Sequence, residues 1–340
     1  MNSAESAPST IIGITMGCPV GIGPEIILKF LSSGGHSGVF SPVVLGDLGI
    51  LRGCARQLGI SVPIVSWQPG QDVAAGAVNV LSLSKLTSGL TWGSPSRETG
   101  LAMATYIIEA VNLIEEGLLA GMVTCPISKT SLRLAGFDFP GHTEMLASQS
   151  GTDDYAMMMA GERLRVTLLT IHIPLAAVPG QIRSNEISRL IRLTALSLRR
   201  DFGIDTPRLA VAGLNPHAGE SGLFGEEEIR EIQPAVDQMN QEGWSVSGPL
   251  PPDTIFHRAV AGDYDAVVCM YHDQGLIPFK LLHFKDGVNV TLGLPFVRTS
   301  VDHGTAYDIA GQGKADPASL SAAFRMAVQI VMNRRNYYAS

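Results

Sequence analysis

Three histidines recur at one kind of place in this chain. His172, His217 and His272 each lie a few residues beyond a short apolar run: Arg165–Thr170, Leu209–Leu214 and Ala266–Met270. Short apolar runs bounded by turn signals read as buried strands. In open α/β sheets, ligands bind beyond the carboxyl ends of strands. Three imidazoles with an open position suit a catalytic zinc or similar divalent ion. The spacing alone leaves this reading level with three separate strand-end histidines, because only the fold, or two subunits, can unite residues so far apart. Asp253, in the proline-rich loop Gly248–Thr254, is a further candidate ligand or partner of a ligand. N-capping of the next helix suits it equally well.

A second set of residues suits anions. His142 and Thr143 stand at a predicted helix start, with Thr143 as its N-cap, where free N–H groups favour a phosphate or carboxylate. Lys280 and Arg298 offer charge-assisted bonds and Asn289 a neutral one. Each has a surface explanation singly, but together they read as a pocket for a phosphorylated or carboxylated metabolite. Lys129 follows the strand Met122–Cys125 and either faces a crevice or is an ordinary surface lysine. The glycine-rich turn Gly17–Glu25 opens a helix, with Pro24 at its first position and Glu25 at the positive end of its dipole. Its spacing is neither GxGxxG nor the Walker pattern, and a tight strand-to-helix turn explains it at least as well as an anion site.

The elements that must position these residues alternate between the two periods. Strands are expected at 11–16, 43–45, 62–66, 78–83, 122–125, 155–160, 165–170, 209–214 and 266–270. Helices are expected at 24–30, 48–58, 97–117, 184–201, 226–242 and 317–332. At 340 residues, with 45% apolar and 16% charged side chains, two lobes are the default. The net charge of −7 comes with scattered basic residues, which excludes a nucleic-acid face. Cys18, Cys54, Cys125 and Cys269 lack metal or redox spacing and read as buried reduced thiols, as in a cytoplasmic protein. The polar segment 1–10 lacks the apolar core of a signal peptide, and no run is apolar enough to span a membrane.

The motifs GIGPE, PISK, GHTE, GLNPHAGESGLFGEEE, GPLPPDT, MYHDQGLIPFK, GVNVTLGLPFVRTSVDHGTA and DIAGQGKAD together resemble the 4-hydroxythreonine-4-phosphate dehydrogenase family of vitamin B6 synthesis. The likeness runs from about Ile12 to the final helix. It implies a homodimer of two α/β/α lobes, similar to isocitrate and isopropylmalate dehydrogenases, with an interlobe active site at the dimer interface. It suggests lobes of residues 10–138 plus 300–335, and 139–299. It also implies a small phosphorylated substrate, NAD or NADP, and a divalent metal: zinc, or alternatively magnesium or cobalt. His172, His217 and His272 would be the metal ligands, drawn from both subunits. Substrate contacts would fall to His142, Thr143, Lys280, Asn289 and Arg298. Lys129 and Asp253 are the catalytic candidates, with a metal-activated water as the alternative base.

The segment His303–Gly311 resembles the adenosine loop of isocitrate and isopropylmalate dehydrogenases, which places cofactor contacts at His303, Gly304, Thr305, Ala306 and Asp308. The implied reaction is NAD-dependent oxidation and decarboxylation of 4-phosphooxy-L-threonine to 3-amino-2-oxopropyl phosphate. The alternatives are dehydrogenation of 4-phospho-D-threonate or 4-phospho-D-erythronate, and a catalytically silent phosphometabolite-binding homologue. One departure stands out. The family's first loop carries an acidic residue followed by Pro-Ala, where this chain has Cys18-Pro19-Val20. A thiol supplies that charge only if its pKa is depressed.

Overall fold

The computed structural model describes residues 10–34, 39–86 and 90–339. They form two compact units, one of the residues up to 153 with 294–331, the other of 154–293 with the residues from 332 onward. Strands and helices are numbered in chain order.

The first unit is built by β-strand/α-helix alternation: β1 (Thr10–Thr15), α1 (Gly23–Ser32), β2 (Phe40–Gly46), α2 (Leu48–Leu58), β3 (Ile64–Ser66), β4 (Val78–Ser82), α3 (Arg97–Glu115) and β5 (Gly121–Thr124). Short helices α4 (Lys129–Leu134) and α5 (His142–Gln149) follow, and β12 (Arg298–Val301) returns to pair with β5. The order is β3-β4-β2-β1-β5-β12, all parallel. Parallel strands covered on both faces must be continuously apolar, and Ile12, Ile14, Val43, Val44, Val80, Met122 and Val123 are all fully buried. Local chemistry sets the helix ends. The Asp47 carboxylate accepts from Ile50 N at 3.0 Å to start α2, and Gly59 closes it with φ 65°. Ser96 and Thr99 form a reciprocal capping box at α3. Ile107 and Val111 of α3 are buried in the core.

The second unit contains β6 (Ala156–Ala160), β7 (Arg165–Leu168), α6 (Ser184–Phe202), β8 (Arg208–Ala212), α7 (Gln233–Gln241), β9 (Ser245–Leu250), α8 (Pro252–Val260), β10 (Ala266–Cys269), α9 (His272–Leu282) and β11 (Val288–Leu292). The order is β11-β6-β7-β10-β8-β9. β6 is antiparallel to both neighbours, and β7, β10, β8 and β9 run parallel. Met159, Val166, Ala210, Val267, Ile255 and Phe279 pack into its core. The chain ends in α10 (Ala318–Ala339).

Three features differ from the sequence reading. Residues 139–153 and 294–299, expected in the second lobe, cluster with the first unit, and residues 332–335, expected in the first lobe, cluster with the second. His272–Leu282 is a helix despite Pro278, a residue that discourages that prediction. The helix expected at 226–242 begins as a π-turn at Glu228–Ile232 before α7. Among the described residues, no helix is long and apolar enough to cross a membrane.

Candidate functional site

The strand order of the second unit explains the histidines. β7, β10 and β8 are adjacent and parallel, with Val166 opposite Val267 and Leu209 opposite Ala266. His172, His272 and His217 therefore all follow the carboxyl ends of neighbouring strands. The connection after β7 is stitched to the end of β10, because Thr170 N and Oγ1 both donate to Met270 O, at 3.2 and 2.8 Å. The result is a cavity of about 250 Å³ lined by Thr170, His172, Leu175, Tyr271, His272 and Asp273. The His172 and His272 ring centroids lie 5.8 Å apart. His272 Nδ1 is 2.7 Å from Asp273 Oδ1. A carboxylate acceptor there makes Nδ1 the protonated nitrogen and leaves Nε2 as a ligand lone pair, the usual outer partner of a metal-binding imidazole.

His217 opens a run of strained backbone. His217, Ala218, Gly219, Glu220 and Ser221 all have positive φ, between 44° and 80°. Such conformations cost about 1–3 kcal/mol at each non-glycine residue and persist only where surroundings over-determine them. The restraint here is Glu228, a carboxylate only 3% exposed, which accepts from Asn215 N at 2.7 Å and Asn215 Nδ2 at 2.9 Å. Gln274, also buried, accepts from Met270 N and donates to Gly213 O, both at 2.7 Å. It joins the end of β10 to the end of β8. The sequence reading named neither Glu228 nor Gln274. Their signal is a polar side chain beside the histidine motifs, and only burial tells it from a solvated one.

As a metal site, the single chain fits in part. Two imidazoles 5.8 Å apart can each place a nitrogen about 2.0–2.1 Å from one ion. His217 is exposed, packs its ring against Phe224 at 6.2 Å, and does not line the His172/His272 cavity. Among the described residues, no three His, Cys, Asp or Glu side chains of one chain converge as a metal group. Asp253 is exposed in the first turn of α8, whose N-cap is Pro251. It serves the helix dipole there rather than capping it.

The anion set divides between the units. Arg298, 3% exposed at the start of β12, donates from Nη2 to Thr124 Oγ1 at 2.9 Å. Burial pushes its guanidinium down to about 9, partly offset by Glu144. His142 and Thr143 are the first two residues of α5, with Gly141 as the N-cap, so Thr143 is not the cap that its residue type suggests. His142 is half-buried as a residue, but its Nε2 is sealed from solvent and has no hydrogen-bond partner among the described residues. Its pKa falls well below 6.5, first through burial and then through the Arg298 charge. His142 Nε2, beside the buried guanidinium of Arg298, is the one of the two groups to which an anion would add an absent bond. Lys280 and Asn289 lie in the second unit, on α9 and β11, and Lys280 Nζ sits 5.7 Å from the Phe284 ring centroid. Lys129 is the exposed first residue of α4, whose Ser128 cap accepts from Ser131 N at 3.2 Å.

The lowered His142 pKa has a stability consequence. Below about pH 6.5 the unfolded chain binds a proton there that the folded chain refuses, so stability present above pH 6.5 is lost as pH falls. His142→Asn should flatten urea-unfolding stability between pH 6.5 and 5, by up to about 1.4 kcal/mol per pH unit. Parallel wild-type and variant curves would disprove this.

The candidate cofactor residues form an ordered loop. Thr305 O accepts from Ile22 N at 3.1 Å, Ala306 is held at φ 42°, and Asp308 O accepts from Gln312 Nε2 at 2.6 Å. His303 Nδ1 lies 3.2 Å from Gly304 O. The glycine-rich turn packs beneath this loop. A Cβ at Gly23 would collide with the Met16 carbonyl, and one at Gly21 would press on Thr305 O at 3.1 Å. These glycines serve close backbone approach. Cys18 Sγ is buried 3.3 Å from Tyr307 OH, and burial pushes its pKa up despite that bond. Cys18 is a neutral thiol and does not replace a carboxylate's charge.

Comparison with known proteins agrees with this architecture. The family model described as "Pyridoxal phosphate biosynthetic protein PdxA" matches residues 39–327. The 4-hydroxythreonine-4-phosphate dehydrogenase of Desulfosudis oleivorans is 54% identical over 325 residues, 94% of this chain and 96% of that one. The D-threonate 4-phosphate dehydrogenase of Cupriavidus necator is 43% identical over 327 residues, 95% and 98% of the two chains. The crystal structure of 4-hydroxythreonine-4-phosphate dehydrogenase from Klebsiella pneumoniae matches with a TM-score of 0.88 at 44% identity, covering 96% of this chain and 99% of that one.

Proposed function

The chain belongs to the PdxA family, and from that premise we propose that it oxidises and decarboxylates 4-hydroxythreonine 4-phosphate with NAD, yielding 3-amino-2-oxopropyl phosphate and CO2. The observation that carries the phosphorylated substrate is Arg298. Its guanidinium is 3% exposed and lies near His142, whose Nε2 has no hydrogen-bond partner among the described residues, and a bound phosphate would add charge-assisted bonds to the first and a further bond to the second.

Oxidation at C3 would remove a hydride, which a bound nicotinamide would accept, and a proton from the C3 hydroxyl, which a base of the protein would take. The product is a β-keto acid; when its carboxylate leaves as CO2 the bonding pair stays as an enolate, and a proton added at C2 gives the amino ketone phosphate. Arg298 and Lys280 hold the phosphate, and His142, Thr143 and Asn289 add neutral bonds. Remote binding of this kind positions C3. Lys129 is assigned as the base and Asp253 as a carboxylate partner to a ligand histidine. His303, Gly304, Thr305, Ala306 and Asp308 are assigned to the cofactor's adenosine. His172, His217 and His272 would hold a divalent ion, which would supply Lewis-acid stabilisation of developing negative charge.

That ligand set implies two subunits, since one chain groups only two of the three imidazoles. A homodimer is further supported by exposed apolar side chains: Leu175, which lines the histidine cavity, and Ile277, Leu281 at 81% and Phe284 at 78% on and just after α9. Four free buried cysteines fit a reducing, cytoplasmic location.

The test is NAD reduction with a divalent metal on 4-phosphooxy-L-threonine, 4-phospho-D-threonate and 4-phospho-D-erythronate. Turnover of the amino acid with CO2 release is the expected result. Turnover of the sugar acids alone would replace it with the second reading, which the D-threonate 4-phosphate dehydrogenase relative favours. No turnover of any, with metal bound, would indicate a silent homologue.

A further inference from the structure

Glu25 has a fully buried carboxylate in the first turn of α1. Burying a charge costs free energy unless it is paired and hydrogen-bonded, and here all its partners lie on two segments. Oε1 accepts from Ala315 N at 2.7 Å and from Lys29 Nζ at 2.9 Å, and Oε2 accepts from Gly313 N at 3.1 Å. Lys29 answers in kind, donating to Gly313 O at 2.8 Å and Ala315 O at 2.7 Å. With Glu25, those two carbonyls use all three protons of the ammonium. One i,i+4 ion pair thus satisfies four backbone groups of a segment nearly 290 residues away.

That segment continues the candidate cofactor loop. Between Ala306 and Gly313 the backbone makes two consecutive turns, Ile309 N to Ala306 O and Gln312 N to Ile309 O, both at 3.1 Å. Gln57 Nε2 holds Gly311 O at 2.8 Å, and Trp92 Nε1 holds Gln57 Oε1 at 2.8 Å. At the other limb, Ala306 sits at φ 42°, a conformation that needs outside restraint.

We propose that Glu25 and Lys29 are positioning residues for the cofactor, a buried clamp that holds residues 313–315 so that the 303–308 limb keeps its binding geometry. The proposal rests on the assignment of that limb to the adenosine. It also gives the GIGPE motif a role: its carboxylate orders a distant loop rather than helping to cradle an anion.

Two variants test it, Glu25→Gln and the better-exposed Lys29→Met, the second in case loss of the buried charge prevents folding. Both should raise the KM for NAD about tenfold to a hundredfold, as for loss of a charge-assisted hydrogen bond. The KM for the phosphorylated substrate and the kcat at saturating NAD should stay within about twofold to threefold of wild type, since neither residue touches the reacting atoms. Amide exchange without cofactor should accelerate at 303–315 and stay unchanged in α3 and β5. Folded variants with wild-type NAD KM and wild-type exchange would overturn the clamp. His303→Ala and Asp308→Ala separate the two failures. If they raise the NAD KM while Lys29→Met does not, the clamp alone is wrong. If they too leave it unchanged, the adenosine assignment fails and the proposal falls with it.

Discussion

His272→Ala should cut metal-dependent NAD reduction by at least about a hundredfold, because removal of an outer partner alone costs 10–100-fold in metal affinity or activity. The dialysed variant should also bind less than one metal per subunit. The stronger form of the test uses mixed dimers. Among the described residues one chain brings only two of these imidazoles together, so the proposed metal site would draw ligands from both subunits. Inactive His172→Ala, His217→Ala and His272→Ala proteins, co-expressed in pairs, should regain activity wherever the two lost ligands come from different subunits. Half of the dimers are then mixed, and each carries one intact site, so about a quarter of wild-type activity returns. The pair that fails to complement identifies the two ligands supplied by one chain. If no pair complements, the shared-site reading is wrong. Full activity and full metal content in any single variant would remove that histidine from the set.

Arg298→Met should lower kcat/KM for the phosphorylated substrate by roughly a hundredfold to ten-thousandfold, for the loss of one or two charge-assisted bonds to phosphate. The unphosphorylated hydroxy amino acid should lose far less, since it never made those bonds. Arg298→Lys should recover little, because an ammonium cannot reproduce the planar fork. Stability gives the control. Methionine removes a buried charge with its desolvation cost but also the bond to Thr124 and the attraction of Glu144, so the variant should remain folded with a Tm close to that of wild type. Equal losses on both substrates would mean that Arg298 organises the strand end and does not bind phosphate.

Much of the scaffold was legible because its causes are local. The helix expected at 48–58 forms there, and the structure ends it with Asp47 and Gly59. Buried parallel strands showed as apolar runs within about two residues of their bounds at β1, β4, β5 and β10. The missed helix α9 begins at His272 and contains Pro278, so its pattern is broken where chemistry is placed. Thr143 and Asp253 had the right types for N-caps, yet Gly141 and Pro251 occupy those positions. A cap is defined by backbone angles, and residue type does not determine them.

Residue types and motif spacing by themselves determined the family likeness, the strand-end histidines and the candidate phosphate ligands. Only the tertiary structure decided which of these residues meet. His172 and His272 share a cavity because β7 and β10 are neighbours, although α6 and β8 separate them in sequence. The GHTE segment belongs with Arg298 in the first unit, Cys18 is neutral, and Glu25 is spent on a loop at the far end of the chain. Burial and hydrogen-bond partners set these outcomes. Both arise between segments distant in sequence, and the free energy of a charge depends on them more than on residue type.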